Sequence, residues 1–350
     1  RIKLIMAYTT INKSSDYFTP KLYTGNGSTN TITGLNFQPD MTWLRARSGA
    51  SGNEIYDAVR GATYRIYPNN NDGGDALVQG LQAWTSDGFT VGSASGINTN
   101  SATFVSWNWK ANGSGASNED GTINTTKTSA NTTSGFSIST YTGTGSAATF
   151  GHGLGVAPDA VIVKNLGAAE DWNVWIRAET PKIGLLNDTA AFYSPGAAGI
   201  NGPTITSSVI GLGTSATANG SSATYVAYCF TSIKGFSKFS SYVGNGNADG
   251  AFVYTGFKPA FVMIKNSSAI ESWYILDTKR PGYNTNNYYL LPNTNGAEGT
   301  STTLATSLLS NGFKINNADT SMNTSGQTYI YLAFAESPFV SSSGIPATAR

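Results

Sequence analysis

A pattern of one tyrosine and two glycines occurs three times along this chain, and it constrains the fold more than any other feature. The pattern Tyr-x-Gly-x-Gly begins at Tyr23, Tyr141 and Tyr242, and a proline follows 16 or 17 residues later, at Pro39, Pro158 and Pro259. Landmarks that return in the same order indicate a repeated structural unit, which has to be recognised before any fold is assigned.

Each proline precedes a short apolar run that ends in a cation. The runs span 41–45, 160–164 and 261–265, and they end in Arg45, Lys164 and Lys265. Proline is tolerated at the start of a strand, where no ladder donor is required. Because the runs are apolar at successive positions, they predict strands covered on both faces. The cations are expected to lay their stems over the core edge and to keep their charges in water.

A second landmark closes each unit with an alternating strand. It begins at Thr103, Thr224 and Thr328 and places large residues on one face, namely Val105, Trp107 and Trp109, then Val226, Tyr228 and Phe230, then Ile330, Leu332 and Phe334. The period of two predicts a strand with one face in a core. We therefore expect an all-β protein of three tandem homologous β-sandwich domains of jelly-roll or lectin-like type.

The landmarks also predict the domain boundaries. The three sandwiches are expected at 8–110, 135–232 and 236–339, with a Ser/Thr/Asn/Gly-rich linker at 111–134 and a C-terminal arm at 340–350. Residues 1–7 are interpreted as an N-terminal leader. Its first five residues resemble a translated ribosome-binding site and spacer, which predicts that the natural chain begins at or just after Met6.

Composition excludes several classes of partner. The net charge of +1 supplies no attraction for DNA or anionic lipid. The single cysteine forms no intrachain disulfide, and no apolar run approaches the roughly 18 residues of a membrane span. The nearest approach to a helical period is the run 302–309, which spans two turns at most.

Few residues are suited to catalysis or metal binding. His152 and Cys229, the only residues of their types, are expected at opposite ends of the second unit, where they cannot cooperate. By sequence alignment, His152 falls at the position of Thr33 and near that of Val253, whereas Cys229 falls at the positions of Asn108 and Ala333. No catalytic residue, metal ligand or cofactor is therefore assigned.

Acidic side chains admit two further interpretations. Asp72 with Asp75, or Glu119 with Asp120, can hold a loop calcium ion, although turn formation is the favoured interpretation because no Asp-x-Asp-x-Asp-Gly spacing is present. Asp57 and Asp277 are each followed three residues later by an arginine, Arg60 and Arg280, which predicts structural ion pairs in turns.

Four tryptophans fall in the middle of the units and are the candidate glycan contacts. They are Trp84, Trp172, Trp175 and Trp273. Exposed indole rings serve as platforms for sugars, but burial of such rings between sheets or between units is the favoured alternative.

Several strings in this sequence resemble one family of virion proteins. They are NEDGTI at 118–123, GFSI at 135–138, GHGLGVAP at 151–158, YVAYCF at 225–230, VYTGFKP at 253–259, LSNGFKI at 309–315 and YIYLAFAE at 329–336. The family occurs in tailed phages of marine bacteria, among them cyanophages and phages of marine heterotrophs, and its members are called hypothetical, tail-fibre-like or lectin-like. The similarity covers essentially residues 6–350.

The resemblance implies a non-enzymatic protein of the virion, assembled in the bacterial cytoplasm. We expect a tail fibre or other external appendage that contacts other virion proteins and binds host-surface glycan. The alternatives are a decoration protein of the capsid or tail without receptor binding and, with low weight, an exopolysaccharide depolymerase. Fibres of this kind are commonly trimers, but three repeats in one chain also permit a pseudo-threefold monomer.

Overall fold

The structure, a computed structural model, describes residues 8–280 and 284–347 and is built almost entirely of antiparallel β-sheet. The predicted all-β class is confirmed. The expected leader at 1–7, with Met6, lies outside the described residues, as do the last three residues of the expected arm. None of the helices in the described ranges has the length and apolar character needed to span a bilayer.

The strands fall into three groups along the chain, which we name the first, second and third units. The first unit contains β1 Phe18–Thr24, β2 Asn30–Thr33, β3 Met41–Ala46, β4 Asn53–Asp57, β5 Gly61–Ile66, β6 Asp75–Ala76, β7 Leu81–Thr85, β8 Gly88–Val91, α1 Ser95–Asn98 and β9 Thr103–Trp109. The second contains β10 Lys127–Asn131, β11 Phe136–Thr142, β12 Ala148–Gly151, β13 Ala160–Asn165, β14 Asn173–Ile176, β15 Ile183–Leu185, β16 Ile200–Asn201, β17 Val209–Leu212, α2 Ala216–Asn219 and β18 Thr224–Phe230. The third contains β19 Ser237–Val243, β20 Phe252–Tyr254, β21 Phe257–Asn266, β22 Trp273–Asp277, β23 Tyr288–Tyr289, β24 Gly299–Thr300, β25 Thr306–Leu309, β26 Gly312–Ile315, α3 Thr320–Asn323 and β27 Thr328–Pro338. Single turns of 3-10 helix lie at Ser14–Asp16, Arg177–Glu179, Gly196–Ala198, Gly202–Thr204 and Thr302–Leu304.

The same order of equivalent strands recurs in each unit. The large sheets are ordered β1-β9-β3-β4-β5-β6, β10-β11-β18-β13-β14-β15 and β19-β27-β21-β22. The small sheets are ordered β2-β8-β7, β12-β17-β16 and β20-β26-β25, and β23 pairs with β24 separately. In every large sheet the strand carrying the tyrosine motif pairs with the closing strand, which pairs in turn with the strand after the proline.

Both faces of each large sheet are covered, as the apolar runs predict. One face packs on the small sheet of its own unit, for example Val161 and Cys229 with Phe150. The other face carries the alternating large residues of the closing strand into a core shared by all three units. Within this core the ring of Phe334 stacks on Phe18, with centroids 4.8 Å apart, and contacts Phe230 at 5.8 Å.

The geometry of the short helices explains the Tyr-x-Gly-x-Gly pattern. Each tyrosine hydroxyl donates a hydrogen bond of 2.7 Å to a carbonyl in the short helix before the closing strand; the acceptors are Ile97, Ala218 and Met322. The first glycine approaches the backbone that follows this helix. The second glycine has φ near +70° in all three units, a conformation that costs glycine little.

Replacing Gly143 by alanine tests this close approach. An added Cβ would lie 2.4 Å from the carbonyl oxygen of Gly220, so the variant is expected to lose about 1–3 kcal/mol of unfolding free energy, as overpacked sites do. Gly167→Ala is the matched control because its added Cβ meets nothing within 4 Å. Chemical denaturation of both variants measures the difference, and equal stability would contradict the interpretation.

The segment 111–134 is folded, in contrast to the expected linker. Its strand β10 pairs with β11 along the edge of the second large sheet, and Ile123 is buried in the core of that unit. The polar sequence concealed this because a backbone ladder needs no apolar side chains, and hydroxyls such as those of Thr128 and Ser139 pair across it at 3.0 Å.

Two smaller expectations also change. Only residues 302–304 of the run 302–309 are helical, and Thr306–Leu309 forms β25, because pairing with β26 overrides a weak local preference. The described part of the C-terminal arm packs near the start of the chain, where the amide of Ser342 donates to Oδ1 of Asn12 at 2.7 Å.

Candidate functional site

The cations that end the three apolar runs are buried between units. Arg45 is 1% exposed and both lysines are 0% exposed, so the expectation that their charges stay in water is wrong. Each donates to a carbonyl of a neighbouring unit: Arg45 to Gly296 at 2.5 Å, Lys164 to Asn71 at 3.1 Å and Lys265 to Thr189 at 3.2 Å. The carbonyls of the neighbouring unit therefore take the place of the water molecules that would solvate each cation in an isolated unit.

These carbonyls belong to three equivalent segments, 67–74, 185–192 and 292–298, which we name the docking loops. Each loop makes two further contacts with the same neighbouring unit. A carbonyl accepts from a side chain, in the pairs Trp172 to Tyr67, Trp273 to Leu185 and Asn53 to Pro292, at 2.8–2.9 Å. A backbone amide donates to a carbonyl two positions beyond the buried cation, in the pairs Gly74 to Leu166, Phe192 to Ser267 and Glu298 to Arg47, at 2.9 Å.

The docking loops close the chain into a ring. The loop of the first unit contacts the second unit, that of the second contacts the third, and that of the third contacts the first. The three contacts use equivalent positions, so the described body has approximate threefold symmetry within a single chain.

The predicted Asp–Arg ion pairs are confirmed, and both reach into another unit. Asp57 binds Arg60 at 2.6 Å and also accepts from the hydroxyl of Tyr228 at 2.7 Å. In the third unit, Asp277 binds Arg280 at 2.7 Å and accepts from the indole Nε1 of the first unit's Trp107 at 3.1 Å.

The remaining contact dispenses with this polar arrangement. At the contact between the second and third units, Ile176 occupies the position of the two aspartates. Leu332 occupies the position of their partners, Tyr228 and Trp107. Both residues are apolar and buried. The acid and its partner are therefore replaced together, as expected where an unpaired buried carboxylate would be costly.

The only histidine and the only cysteine are both buried in structural positions. Nδ1 of His152 accepts from the amide of Leu154, and Nε2 lies 3.2 Å from the carbonyl of Thr206; burial lowers the pKa of this imidazole. Burial also raises the pKa of Cys229 to about 12, so the thiol stays protonated at neutral pH. Neither side chain is prepared to act as a nucleophile.

The strand registers refine the equivalences of these two residues. Cys229 lies at the position of Asn108 and Ala333, as predicted. Gly151 aligns with Thr33 and Tyr254, so His152 corresponds to Gly34 and Thr255 and not to Thr33 and Val253. The shift arises because the Gly-rich turn after this strand differs in length between units.

The candidate calcium ligands engage neighbouring side chains. Asp72 accepts from Asn70, Asp75 pairs with Arg65 at 3.0 Å, and Asp120 accepts from Asn118, while Glu119 is exposed. Within residues 8–280 and 284–347, no group of three or more His, Cys, Asp or Glu side chains is arranged to hold a metal ion.

Three of the four candidate glycan contacts are buried. Trp172, Trp175 and Trp273 are at most 1% exposed, so their rings have no face open to a ligand. Trp84 is partly exposed, and its Nε1 donates to the hydroxyl of Thr42 at 3.3 Å. Trp172 and Trp273 lie at contacts between units, and Trp175 lies in the core of the second unit, in line with the favoured alternative of burial between sheets or between units.

An open groove of about 450 Å³ lies between the first and second units. Its walls include the exposed ring of Tyr64, the apolar side chains of Val59 and Leu166, and Lys127 from β10. Three threonines also line it: Thr126, Thr140 and Thr224. Concave sites that combine apolar surface with a few polar groups, at a junction between units, are typical of ligand binding.

The fold and these contacts define a class: an all-β protein whose buried charged groups join three units into one body. The chain belongs to the family described as "Domain of unknown function (DUF7483)", which matches residues 13–338. That match spans all three units and the segment 111–134. No curated protein and no solved structure matches the chain.

The buried lysines predict an unusual pH dependence of stability. Desolvation lowers the pKa of Lys164 and Lys265 to about 8 from the ordinary value of 10.5. Above pH 8 the unfolded chain therefore binds more protons than the folded chain, and stability is expected to rise with pH by at most about 1.4 kcal/mol per unit for each lysine. Denaturation between pH 7.5 and about 8.5, where tyrosines with the ordinary pKa of about 10 are still almost fully protonated in the unfolded chain, measures the slope.

The thiol of Cys229 opposes this trend, because its raised pKa keeps a proton that the unfolded chain releases. The measurement is therefore made in a Cys229→Ala variant, which lacks the opposing thiol. Alanine is chosen because it occupies the equivalent position 333 in the third unit. Adding Lys164→Met is expected to reduce the slope by about half. A flat or falling profile in the Cys229→Ala protein would contradict the burial of charged lysines.

Proposed function

We propose that this chain is a non-enzymatic structural protein of a tailed-phage particle. It is an external appendage of the tail-fibre type, built from three diverged copies of one β-sandwich domain. The observation that carries the proposal is the closed ring of docking loops. Buried charged side chains, namely Arg45, Lys164, Lys265 and the Asp–Arg pairs, form the contacts between units.

The recurrence of the strand order supports the three-copy origin. The repeated units also fit the tail-fibre role, because one chain forms a threefold body of the kind that trimeric fibres build from three chains. The strings that resemble those of a phage virion family support the location. The second role that we propose is binding of host-surface glycan, supported by the open groove between the first and second units.

Quantitative mass spectrometry of purified particles tests the location. In particles of a phage that encodes this sequence, the chain is expected at a few tens of copies, the stoichiometry of a tail appendage. Several hundred copies would favour a decoration protein of the capsid. Absence from particles, with presence in infected cells, would overturn the proposal of a virion component.

Binding to host cells tests the second role. Fluorescently labelled full-length protein is expected to bind host cells saturably, and the purified surface polysaccharide of that host is expected to compete. The polysaccharide should keep its chain length after prolonged incubation with the protein. New reducing ends would contradict the non-enzymatic assignment and favour a depolymerase.

A further inference from the structure

We propose that the groove between the first and second units binds one ring of an acidic saccharide, a sugar carrying a carboxylate or a sulfate. This inference rests on the proposed role in glycan binding and assigns that role to named residues. Tyr64 provides the stacking surface, Lys127 the positive charge, and the threonines at 126, 140 and 224 the hydroxyl groups.

The exposed ring of Tyr64 is the apolar element of the site. It is 51% exposed and lies on β5 at the edge of the groove. Because covering an aromatic ring removes a large apolar area from water, an exposed ring is a favourable contact for a ligand. A sugar ring presents an apolar C–H face that such a ring can cover. Val59 and Leu166 continue the apolar surface into the groove.

The hydroxyl groups around this surface are available to a ligand. In the described part of the chain, none of the side-chain hydroxyls of Thr126, Thr140 and Thr224 takes part in a protein hydrogen bond. Thr126 lies just before β10, Thr140 lies on β11 and Thr224 opens β18, so the backbone of the sheet holds all three in place. A ligand with an apolar face and a rim of hydroxyls matches this arrangement.

The charge of the groove selects an acidic sugar. No carboxylate in the described ranges lies within 4.0 Å of the Lys127 ammonium. The other cation of the groove, Arg60, is neutralised by Asp57 at 2.6 Å. One positive charge is therefore left for a ligand, and the favourable partner is a carboxylate or sulfate.

The site is specific to this contact because β10 has no equivalent in the other two units, as far as residues 8–280 and 284–347 describe them. The first and third large sheets begin with β1 and β19, the counterparts of β11. In the contact between the third and first units, Arg47 occupies the position of Leu166 and pairs with Glu298 at 2.9 Å. The segment 111–134 thus adds a wall and a free cation to one of three equivalent junctions.

Calorimetric titration of the full chain tests the assignment. The probes are an oligogalacturonate, a sulfated carrageenan oligosaccharide and neutral maltoheptaose. At least one acidic probe is expected to bind and maltoheptaose is not; comparing the two acidic probes identifies the preferred anion. Tyr64→Ala and Lys127→Ala are each expected to weaken binding about tenfold or more, whereas Lys127→Arg retains it.

Phe252→Ala is the matched control, since it removes an aromatic ring of similar exposure, 48%, from the third unit. Its affinity is expected to equal that of the unmodified protein, and thermal melts establish that all variants are folded. Failure of both acidic probes to bind, equal binding of maltoheptaose, or unchanged affinity in both alanine variants would overturn the inference.

The outcomes separate this site from the wider role. If the unmodified protein and both alanine variants bind the host polysaccharide equally, glycan binding stands and this groove is not its site. If the unmodified protein binds no host polysaccharide, the proposed role in glycan binding fails.

Discussion

Replacing Asp277 by alanine is expected to lower the free energy of unfolding by about 3–5 kcal/mol, the cost of breaking a buried ion pair. Its carboxylate accepts from the guanidinium of Arg280, from two backbone amides of its own turn and from the indole of Trp107. Both charged side chains are 0% exposed. The variant would leave the buried guanidinium of Arg280 with its hydrogen bond to the carbonyl of Ile275 and, as its remaining ion-pair partner, Glu298 at the longer distance of 3.4 Å.

Asp249→Ala is the control for this prediction. Its carboxylate pairs with Lys314 but is 81% exposed, so its removal is expected to cost no more than about 1 kcal/mol. Urea denaturation of the two variants, followed by tryptophan fluorescence, gives the comparison. Similar losses in both variants would show that the buried pair contributes no more than an exposed one.

Replacing Asn219 by alanine is expected to cost about 2–4 kcal/mol, because it strands several buried polar groups. The side chain is 0% exposed. Its amide nitrogen donates to the carbonyls of Gly213 at 2.7 Å and Ser146 at 2.6 Å, and its oxygen accepts from the amide of Thr144 at 2.9 Å. One residue therefore joins the glycine motif, the short helix and the small sheet.

The same arrangement occurs at Asn98 and Asn323, so alanine at either position should have a comparable effect. Asn112→Ala is the control, since Asn112 is exposed and makes its hydrogen bond through the backbone amide. Thermal unfolding of the four variants is the measurement. A loss below about 1 kcal/mol at all three buried positions would contradict this role.

The three asparagines could have been found from the sequence. Each lies five residues before the threonine that opens the closing strand, a constant spacing that stands beside the tyrosine motif. By contrast, no local signal marks Tyr64 and Lys127 as neighbours. Their proximity arises where two units meet, and β10 was hidden in a polar segment that resembles a linker.

The sequence by itself determined the strand after each proline, the closing strands, the glycine turns and the ion pairs within a turn. Alternation along a strand, glycine at positive φ and an arginine three residues after an aspartate all depend on residues close in the chain. This is why the faces of the closing strands and the pairing of Asp57 with Arg60 were predicted correctly.

Only the tertiary structure decided which surfaces lost their water. Whether Lys164 is wet or buried depends on the loop at 67–74, more than 90 residues earlier, and whether Trp172 presents a face to solvent depends on the same loop. Desolvation is a property of what covers a group. It follows from the closed ring of units, which the residues next to that group in the chain do not encode.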